Sequence, residues 1–384
     1  MIIGLMGFEF SSPNKGCEAL SYSFLSILKN ISNGDIKEII YFSNDPNMGN
    51  IKKHFPQFNF TCVPRRLKDI HFLMIKAFIK CDVVFDVTMG DSFSDIYSET
   101  HCLNDIKFKR IAEFFNKKYI LLPQTYGPFE NIKIKKKVSK VIKDSYAIFC
   151  RDELSQKLLL ELCPSIKTYL MTDMAFVLPY DKNKYQLKTN KIKLGINVSG
   201  LLWRGGFGKE NQFSMSFDYK NYINEIIRIY CEYEKVQVYL IPHVIDEKTE
   251  AHDDDYRVSK LLNNLYPSTI CAPKFNTPIE AKSYISNMDC FIGSRMHSTI
   301  AAFSSKVAVI PVSYSRKFEG LFNSVGYNYL IHGNKDSLEE AVQKTVRYIT
   351  KYSELKKEVE KDCSLVDKYI NDLTILIKTI VRND

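Results

Sequence analysis

Asp289-Cys290-Phe291-Ile292-Gly293-Ser294-Arg295-Met296-His297-Ser298-Thr299-Ile300-Ala301-Ala302-Phe303, continued by Val307-Ala308-Val309-Ile310-Pro311-Val312-Ser313-Tyr314, is the stretch from which the fold can be read. A short apolar run ends in Gly293-Ser294, an amphipathic run with small residues follows, and Val307 to Val312 is rich in β-branched residues. That order is strand, tight turn, helix, strand: one βαβ unit. Ser294 is the expected N-cap, which puts Arg295 and His297 in the first helical turn. Free backbone N–H groups and the helix dipole favour an anion there. Arg295 adds a bidentate fork for carboxylate or phosphate, and His297 brings the side-chain type that moves protons near neutral pH. A bland reading competes, with Arg295 in an ion pair and His297 a satisfied structural histidine. Arg, His and a helix start coincide at the end of a strand, where open α/β sheets bind ligands, and this favours an anion site.

The same alternation extends in both directions. Residues 2 to 7 read as a first strand, and Asn14-Lys15-Gly16-Cys17-Glu18-Ala19-Leu20 opens an amphipathic helix to about Leu28, without the G-x-G-x-x-G spacing of a dinucleotide fold. Glu38 to Phe42 and Asp82 to Val87 read as strands, the second followed by Thr88-Met89-Gly90-Asp91-Ser92-Phe93-Ser94-Asp95-Ile96-Tyr97, a ligand loop by position. If that loop turns into a helix, Asp91 and Asp95 share a face; as an N-cap and a solvated first-turn acid they would be structural. A strand Tyr119 to Leu122 leads into Pro123-Gln124-Thr125-Tyr126-Gly127-Pro128, where Gln124 offers an amide at a strand end. Ala147 to Cys150 precedes Arg151-Asp152-Glu153, and Arg151 reads either as a second anion clamp or as an ion pair with Asp152 or Glu153.

Residues 180 to 191 are polar and unpatterned, the best linker. A second series starts at Ile192 to Val198 and passes through the glycine-rich Trp203-Arg204-Gly205-Gly206-Phe207-Gly208. A helix from about Tyr219 to Glu232 and a strand Val236 to His243, with His243 at its end, follow. Asp253-Asp254-Asp255 opens a helix; acids are ordinary there, and the oxygen-ligand set of a metal is not evident. Ser337-x-x-Glu340 is a capping box leading into helices that run to Val381.

Gly-Ser-Arg-Met-His with the downstream Tyr314-Ser315-Arg316-Lys317-Phe318 resembles the polysaccharide pyruvyl transferases. So do Asn14-x-Gly16-x-Glu18, Gly90-Asp91-Ser92-Phe93, Pro123-Gln124-x-x-Gly127-Pro128, Arg151-Asp152-Glu153 and Asp173-x-Ala175-Phe176. Many members carry an acid where this chain has Cys17. The resemblance runs from Asn14 to about Gly326. It implies an α/β fold of two Rossmann-like domains facing across a cleft, the GT-B-like architecture. Residues 1–180 would form an acceptor-side domain, 190–335 a donor-side domain and 336–384 C-terminal helices.

Length and composition agree with this. At 384 residues the chain exceeds one ordinary core and suits two domains. The net charge of +9 comes from dispersed lysines rather than an arginine-rich block, which suits phosphorylated substrates or an anionic membrane surface and gives no reason to expect nucleic acid. The ten cysteines show no C-x-x-C pair or metal spacing, and Cys150 and Cys290 sit in apolar runs, as reduced thiols do. The longest apolar run, His71 to Val87, is interrupted by Lys76, Lys80 and Asp82, and Met1 to Leu5 reads as a strand, not a signal peptide. A cytoplasmic protein, at most peripheral at the inner face of the cell membrane, is expected.

The implied reaction moves the enolpyruvyl unit of phosphoenolpyruvate onto two hydroxyls of one sugar, giving a cyclic ketal and phosphate, with no cofactor and no metal. Its partners would be phosphoenolpyruvate and a sugar acceptor, lipid-linked or free. His297, Asp91 and Glu18 are the expected acid and base residues. Arg295, Arg151, Lys317, Ser294, Met296, Arg204 and His243 are expected on the donor, and Asp95, Asn14 and Gln124 on the acceptor. Glu18 also reads as a first-turn acid complementing the dipole. A nucleotide-sugar glycosyltransferase and a non-catalytic sugar- or phosphate-binding protein remain open on the same scaffold.

Overall fold

The computed structural model describes residues 1–65, 72–96, 98–206, 210–246 and 253–382. Tyr97 of the Gly-Asp-Ser-Phe segment, Phe207 and Gly208 of the glycine-rich loop, and His71 at the head of the apolar run lie outside them. The chain divides into two compact units. The first comprises Met1–Ser11, Leu20–Met174 and the chain from Asp367 onward; the second comprises Ser12–Ala19 and Ala175–Val366.

The first unit is built on seven strands, β1 (Ile2–Met6), β2 (Glu38–Phe42), β3 (Phe60–Val63), β4 (Val83–Asp86), β5 (Lys118–Gln124), β6 (Ala147–Cys150) and β7 (Tyr169–Leu170). They lie in the order β3-β2-β1-β4-β5-β6-β7, and every pairing is parallel. Parallel strands are covered by helices on both faces, so they read as nearly continuous apolar runs, and β4 is buried at all four positions. Helices Phe72–Lys80, Glu99–Phe114 and Ile132–Asp144 place Phe78, Ile106 and Val138 in one cluster with Ile40, Val84 and Ile148 of the sheet. The alternation of lysines with Ile134, Val138, Val141 and Ile142 in Ile132–Asp144 is what leaves its charged face to solvent.

The second unit repeats the plan with β8 (Ile192–Asn197), β9 (Val236–Leu240), β10 (Ile270–Cys271), β11 (Cys290–Gly293), β12 (Ala308–Ser313) and β13 (Ile331–His332). Their order, β10-β9-β8-β11-β12-β13, is again that of a doubly wound Rossmann sheet. Leu194, Ile196, Leu240, Phe291, Ile292, Val309 and Ile310 are fully buried in its core. Ser337 caps helix Leu338–Thr350 in a complete capping box with Glu340. Helix Tyr352–Arg382 follows, and among the described residues no helix is long and apolar enough to cross a membrane.

In both sheets the strand order reverses at one point, between β1 and β4 and between β8 and β11. In the first unit that point is occupied by Asp86. Its carboxylate receives the Thr88 N–H at 2.7 Å and hydrogen bonds from Tyr119 and Lys109, all buried. Burial alone would raise the Asp86 pKa, but Lys109 and the hydroxyl donors hold it below the usual carboxylate value. Lys109→Met should therefore leave a buried carboxylate without its cation and cost about 3–5 kcal/mol. Urea denaturation of the variant checks this, and an unchanged midpoint would mean the pair contributes nothing.

Candidate functional site

At the reversal point of the second unit the central residue is Asn197, the last residue of β8 and fully buried. Its Oδ1 accepts the Arg295 backbone N–H at 2.9 Å and the Ser298 hydroxyl at 3.1 Å. Its Nδ2 donates to the Ile241 carbonyl at 3.0 Å and to Asp255 at 3.1 Å. This anchor decides where the next helix begins. Helix Met296–Ser304 starts one residue later than a Ser294 cap requires: Arg295 holds the N-cap position, extended at φ −107°, with no side-chain cap hydrogen bond. Ser294 is buried instead, its hydroxyl accepting from Tyr219 at 2.7 Å. Met296 and His297 form the first turn, and Met296 is buried.

The Arg295 guanidinium, only 8% exposed, is held by two carboxylates. Its Nε and Nη2 donate to Asp255 Oδ1 at 3.2 and 2.7 Å, Nη1 donates to Asp253 Oδ2 at 3.2 Å, and Nη2 also meets Asp253 Oδ1. Asp255 is wholly buried and collects further N–H groups from Gly200 at 2.8 Å and from His243 and Val244 at 3.1 Å each. Burial would raise its pKa, yet Arg295 and the amides pull it below the ordinary value. Burial likewise opposes the Arg295 charge, and Asp255 with Asp253 more than restores it. The acidic triplet is thus not a plain set of first-turn acids. Only Asp254 caps helix Asp255–Leu265, accepting from Tyr256 at 2.9 Å, while Asp255 turns back to the strand ends and Asp253 reaches Arg295.

The N-terminal motif joins this cluster because residues 12 to 19 belong to the second unit. Asn14 forms an antiparallel bridge with Val244; Lys15 N–H donates to the His243 carbonyl at 3.0 Å, and Ile245 N–H to the Pro13 carbonyl at 2.9 Å. Asn14 Oδ1 accepts the Gly16 N–H at 2.9 Å and stops the strand-like run where helix Lys15–Ile31 starts. Gly16 lies against the His297 imidazole so closely that a Cβ there would fall 2.8 Å from its Cγ and closer still to Nδ1. Only glycine lets the ring lie on this first turn. Glu18 is buried, taking the Lys15 amine at 2.9 Å and the Ser12 N–H at 3.0 Å; burial raises its pKa, with Lys15 opposing. Lys15, also buried, carries no signal of its own beyond its place inside the motif.

His243 is 3% exposed, and among the described residues neither ring nitrogen has a hydrogen-bond partner. Burial pushes its pKa down to about 3; the neighbouring His297, Arg295 and Lys15 add to this, and Asp255 opposes. Lys317 lies half-buried in helix Arg316–Ser324, and Arg204 is exposed at the end of helix Gly200–Trp203. Among the described residues no group of three or more His, Cys, Asp or Glu is placed to hold a metal ion.

Asp91, Asp95, Gln124 and Arg151 lie in the first unit. After β4 the chain makes a 3-10 turn, Thr88–Gly90, and further turns, and the helix begins only at Glu99, so Asp91 and Asp95 share no helix face. Thr88 and Met89 have φ of 40° and 55°, a left-handed strain of about 1–3 kcal/mol each. Asp95 anchors the start of helix Ile132–Asp144, accepting from Glu130 N–H at 2.9 Å and Asn131 N–H at 2.8 Å. Gln124 is fully buried, its Nε2 donating to the Asp86 and Leu122 carbonyls at 3.4 Å. Arg151, also fully buried, pairs with neither Asp152 nor Glu153 but donates to Asp173 at 2.9 Å. Asp152 is instead the cap of helix Glu153–Leu162. The partner is twenty-two residues away, so local sequence carried no sign of it.

The sequence model of the family described as polysaccharide pyruvyl transferase matches residues 14–316. No curated protein matches the chain significantly. Among solved structures, the Neisseria meningitidis UDP-GlcNAc 2-epimerase bound to UDP-GlcNAc is similar over 100% of both chains, with a TM-score of 0.60 at 11% identity. The Thermosynechococcus elongatus sucrose-phosphate synthase is similar over 100% of both chains, with a TM-score of 0.57 at 10% identity. Anabaena HepE in complex with UDP gives a TM-score of 0.56 at 10% identity over 97% of this chain and 99% of its own. At such identities the likeness is one of fold, the GT-B class.

A histidine kept neutral by burial makes folding pH-dependent. The unfolded chain takes up the proton below about pH 6.5 and the folded chain does not until about pH 3, so stability contributed at neutral pH is lost as pH falls through that window. By about pH 5 the loss should reach about 2 kcal/mol. Urea melts at several pH values should show this slope in the native chain and not in His243→Leu; identical slopes would mean His243 titrates normally.

Proposed function

The chain belongs to the polysaccharide pyruvyl transferase family, and from that premise we propose that it transfers the pyruvyl group of phosphoenolpyruvate to two hydroxyls of one sugar, as a cyclic ketal, with release of phosphate. The acceptor would belong to a capsular, extracellular or cell-wall glycan. The observation that carries this reading is the meeting of two distant family motifs, Asn14 to Glu18 and Ser294 to His297, in one compact unit.

The chemistry asks for three things. A proton must reach the methylene carbon of the donor, leaving an oxocarbenium-like centre, and His297 in the first helical turn is the acid. One sugar hydroxyl adds to that carbon and gives its proton to a base. Glu18 suits that role, since burial raises its proton affinity while Lys15 stays within 2.9 Å. The second hydroxyl then displaces phosphate, and the positive helix end, with Arg295, assists its departure. In the structure Arg295 is held by Asp253 and Asp255 together, so gripping the donor requires one carboxylate to yield. Asp253 is the one, because its side chain is 28% exposed and that of Asp255 fully buried. A nucleotide-sugar transferase reading has the fold alone in its favour.

His297→Gln should lower kcat roughly 10²–10⁴-fold, with a smaller effect on donor affinity. Solvent deuterium should enter the methyl group of the ketal in the native enzyme, read by NMR of the product. Wild-type turnover in His297→Gln would remove it as the acid. Asp253→Asn frees Arg295 and should tighten phosphoenolpyruvate binding about fivefold, the ~1 kcal/mol scale of a partly exposed ion pair. Calorimetry decides this; weaker binding would mean that Asp253 positions Arg295 rather than competing with the donor.

A further inference from the structure

Beside the Arg295 turn, the second unit holds a cavity of about 560 Å³. It is lined by Trp203, Arg204, Glu210, Phe213, Asp218 and Lys220, among others. Its wall is continuous with the turn: Tyr219, another lining residue, donates its hydroxyl to Ser294 at 2.7 Å, directly before Arg295. The Phe213 and Tyr314 rings meet at a steep angle, their centroids 5.0 Å apart.

We propose that this cavity is a subsite for a neutral pyranose of the acceptor glycan, next to the sugar that reacts. The lining has the composition such a ligand needs. Trp203 and Phe213, both half-buried, offer apolar ring surface for the C–H face of a sugar. Around them stand two cations, Arg204 and Lys220, and two carboxylates, Glu210 and Asp218, so hydroxyls meet both donors and acceptors. Among the described residues the Glu210 carboxylate has no hydrogen-bond or ion-pair partner, and the Lys220 ammonium only faces the Trp203 ring, 5.9 Å from its centroid. A nucleoside diphosphate fits worse, because the two carboxylates would oppose its phosphates and leave no net positive charge among these four groups. A subsite here makes the enzyme a reader of a chain of sugars rather than of a single ring. The proposal rests on the pyruvyl transferase reading for its choice of an acceptor glycan.

Trp203 is the sole tryptophan of the chain, so its emission reports on this cavity directly. The full chain is titrated with glucose, galactose, N-acetylglucosamine, lactose and chitobiose, and separately with UDP, while tryptophan fluorescence is recorded. Phosphoenolpyruvate binding is measured on the same preparation by calorimetry. A saturable change with at least one sugar is expected below about 0.1 M, a range that covers Kd values near ~10 mM. Its apparent affinity should fall at least tenfold in the double variant Glu210→Ala/Lys220→Ala. No change with any of the sugars overturns the subsite, as does a response to UDP alone or an affinity unaltered in the double variant. Donor binding without a sugar response fails the subsite and spares the transferase reading. A sugar response without donor binding fails the transferase reading and keeps the subsite as a carbohydrate site.

Discussion

The second unit depends on one buried ion pair, Arg295 with Asp255. An Arg and an Asp taken out of water each cost several kcal/mol, and attraction between them offsets this only when every remaining donor and acceptor is engaged. Here they are. The Asp255 oxygens gather N–H groups from Asn197 and Gly200 at the end of β8 and from His243 and Val244 at the end of β9, while Arg295 brings in the turn after β11. The pair therefore fixes the ends of β8 and β9 and the turn after β11 in one arrangement. The start of helix Met296–Ser304, and with it the place of His297, follows from that arrangement.

The first unit solves the same geometric problem with different groups. Asp86 ends β4 where Asn197 ends β8, and Lys109 and Tyr119 supply from the side what Arg295 and Asp255 supply in the second unit. Both sheets reverse their strand order at these residues, where neighbouring strand ends splay and backbone groups need side-chain partners. A carboxylate or amide there is a structural need first. Chemistry can use the same point because the surrounding donors are already oriented.

What was legible in the sequence was whatever depends on neighbours in the chain. The strand Cys290–Gly293, the capping box at Ser337 and Glu340 and the strand Glu38–Phe42 all follow from periodicity and capping chemistry. The family motifs also stood out, since each is contiguous. What could not be read was pairing across the chain. Asp255 looked like an ordinary first-turn acid because the rule for helix starts says nothing of a side chain turned back to a strand end. Arg151 read as an anion clamp or as the partner of its neighbours Asp152 and Glu153, whereas its partner, Asp173, arrives with the segment after β7. The Ser294 cap gave way to Arg295 because Asn197, almost a hundred residues earlier, holds the Arg295 amide.

Residues 12–19 sit in the second unit and the chain from Asp367 onward in the first, so the two halves are interleaved along the sequence. Cutting at the polar stretch near residue 185 would not yield two self-sufficient pieces. The front fragment would carry off the edge that bridges to Val244 and leave the rear fragment without the turn that supports His297. The interleaving also bears on synthesis. As the chain leaves the ribosome, the first sheet is made early but lacks the helical segment from Asp367 onward until all of the second unit has been made. The first unit cannot be completed before the second is made, whereas every segment of the second, the site included, has been made by Val366.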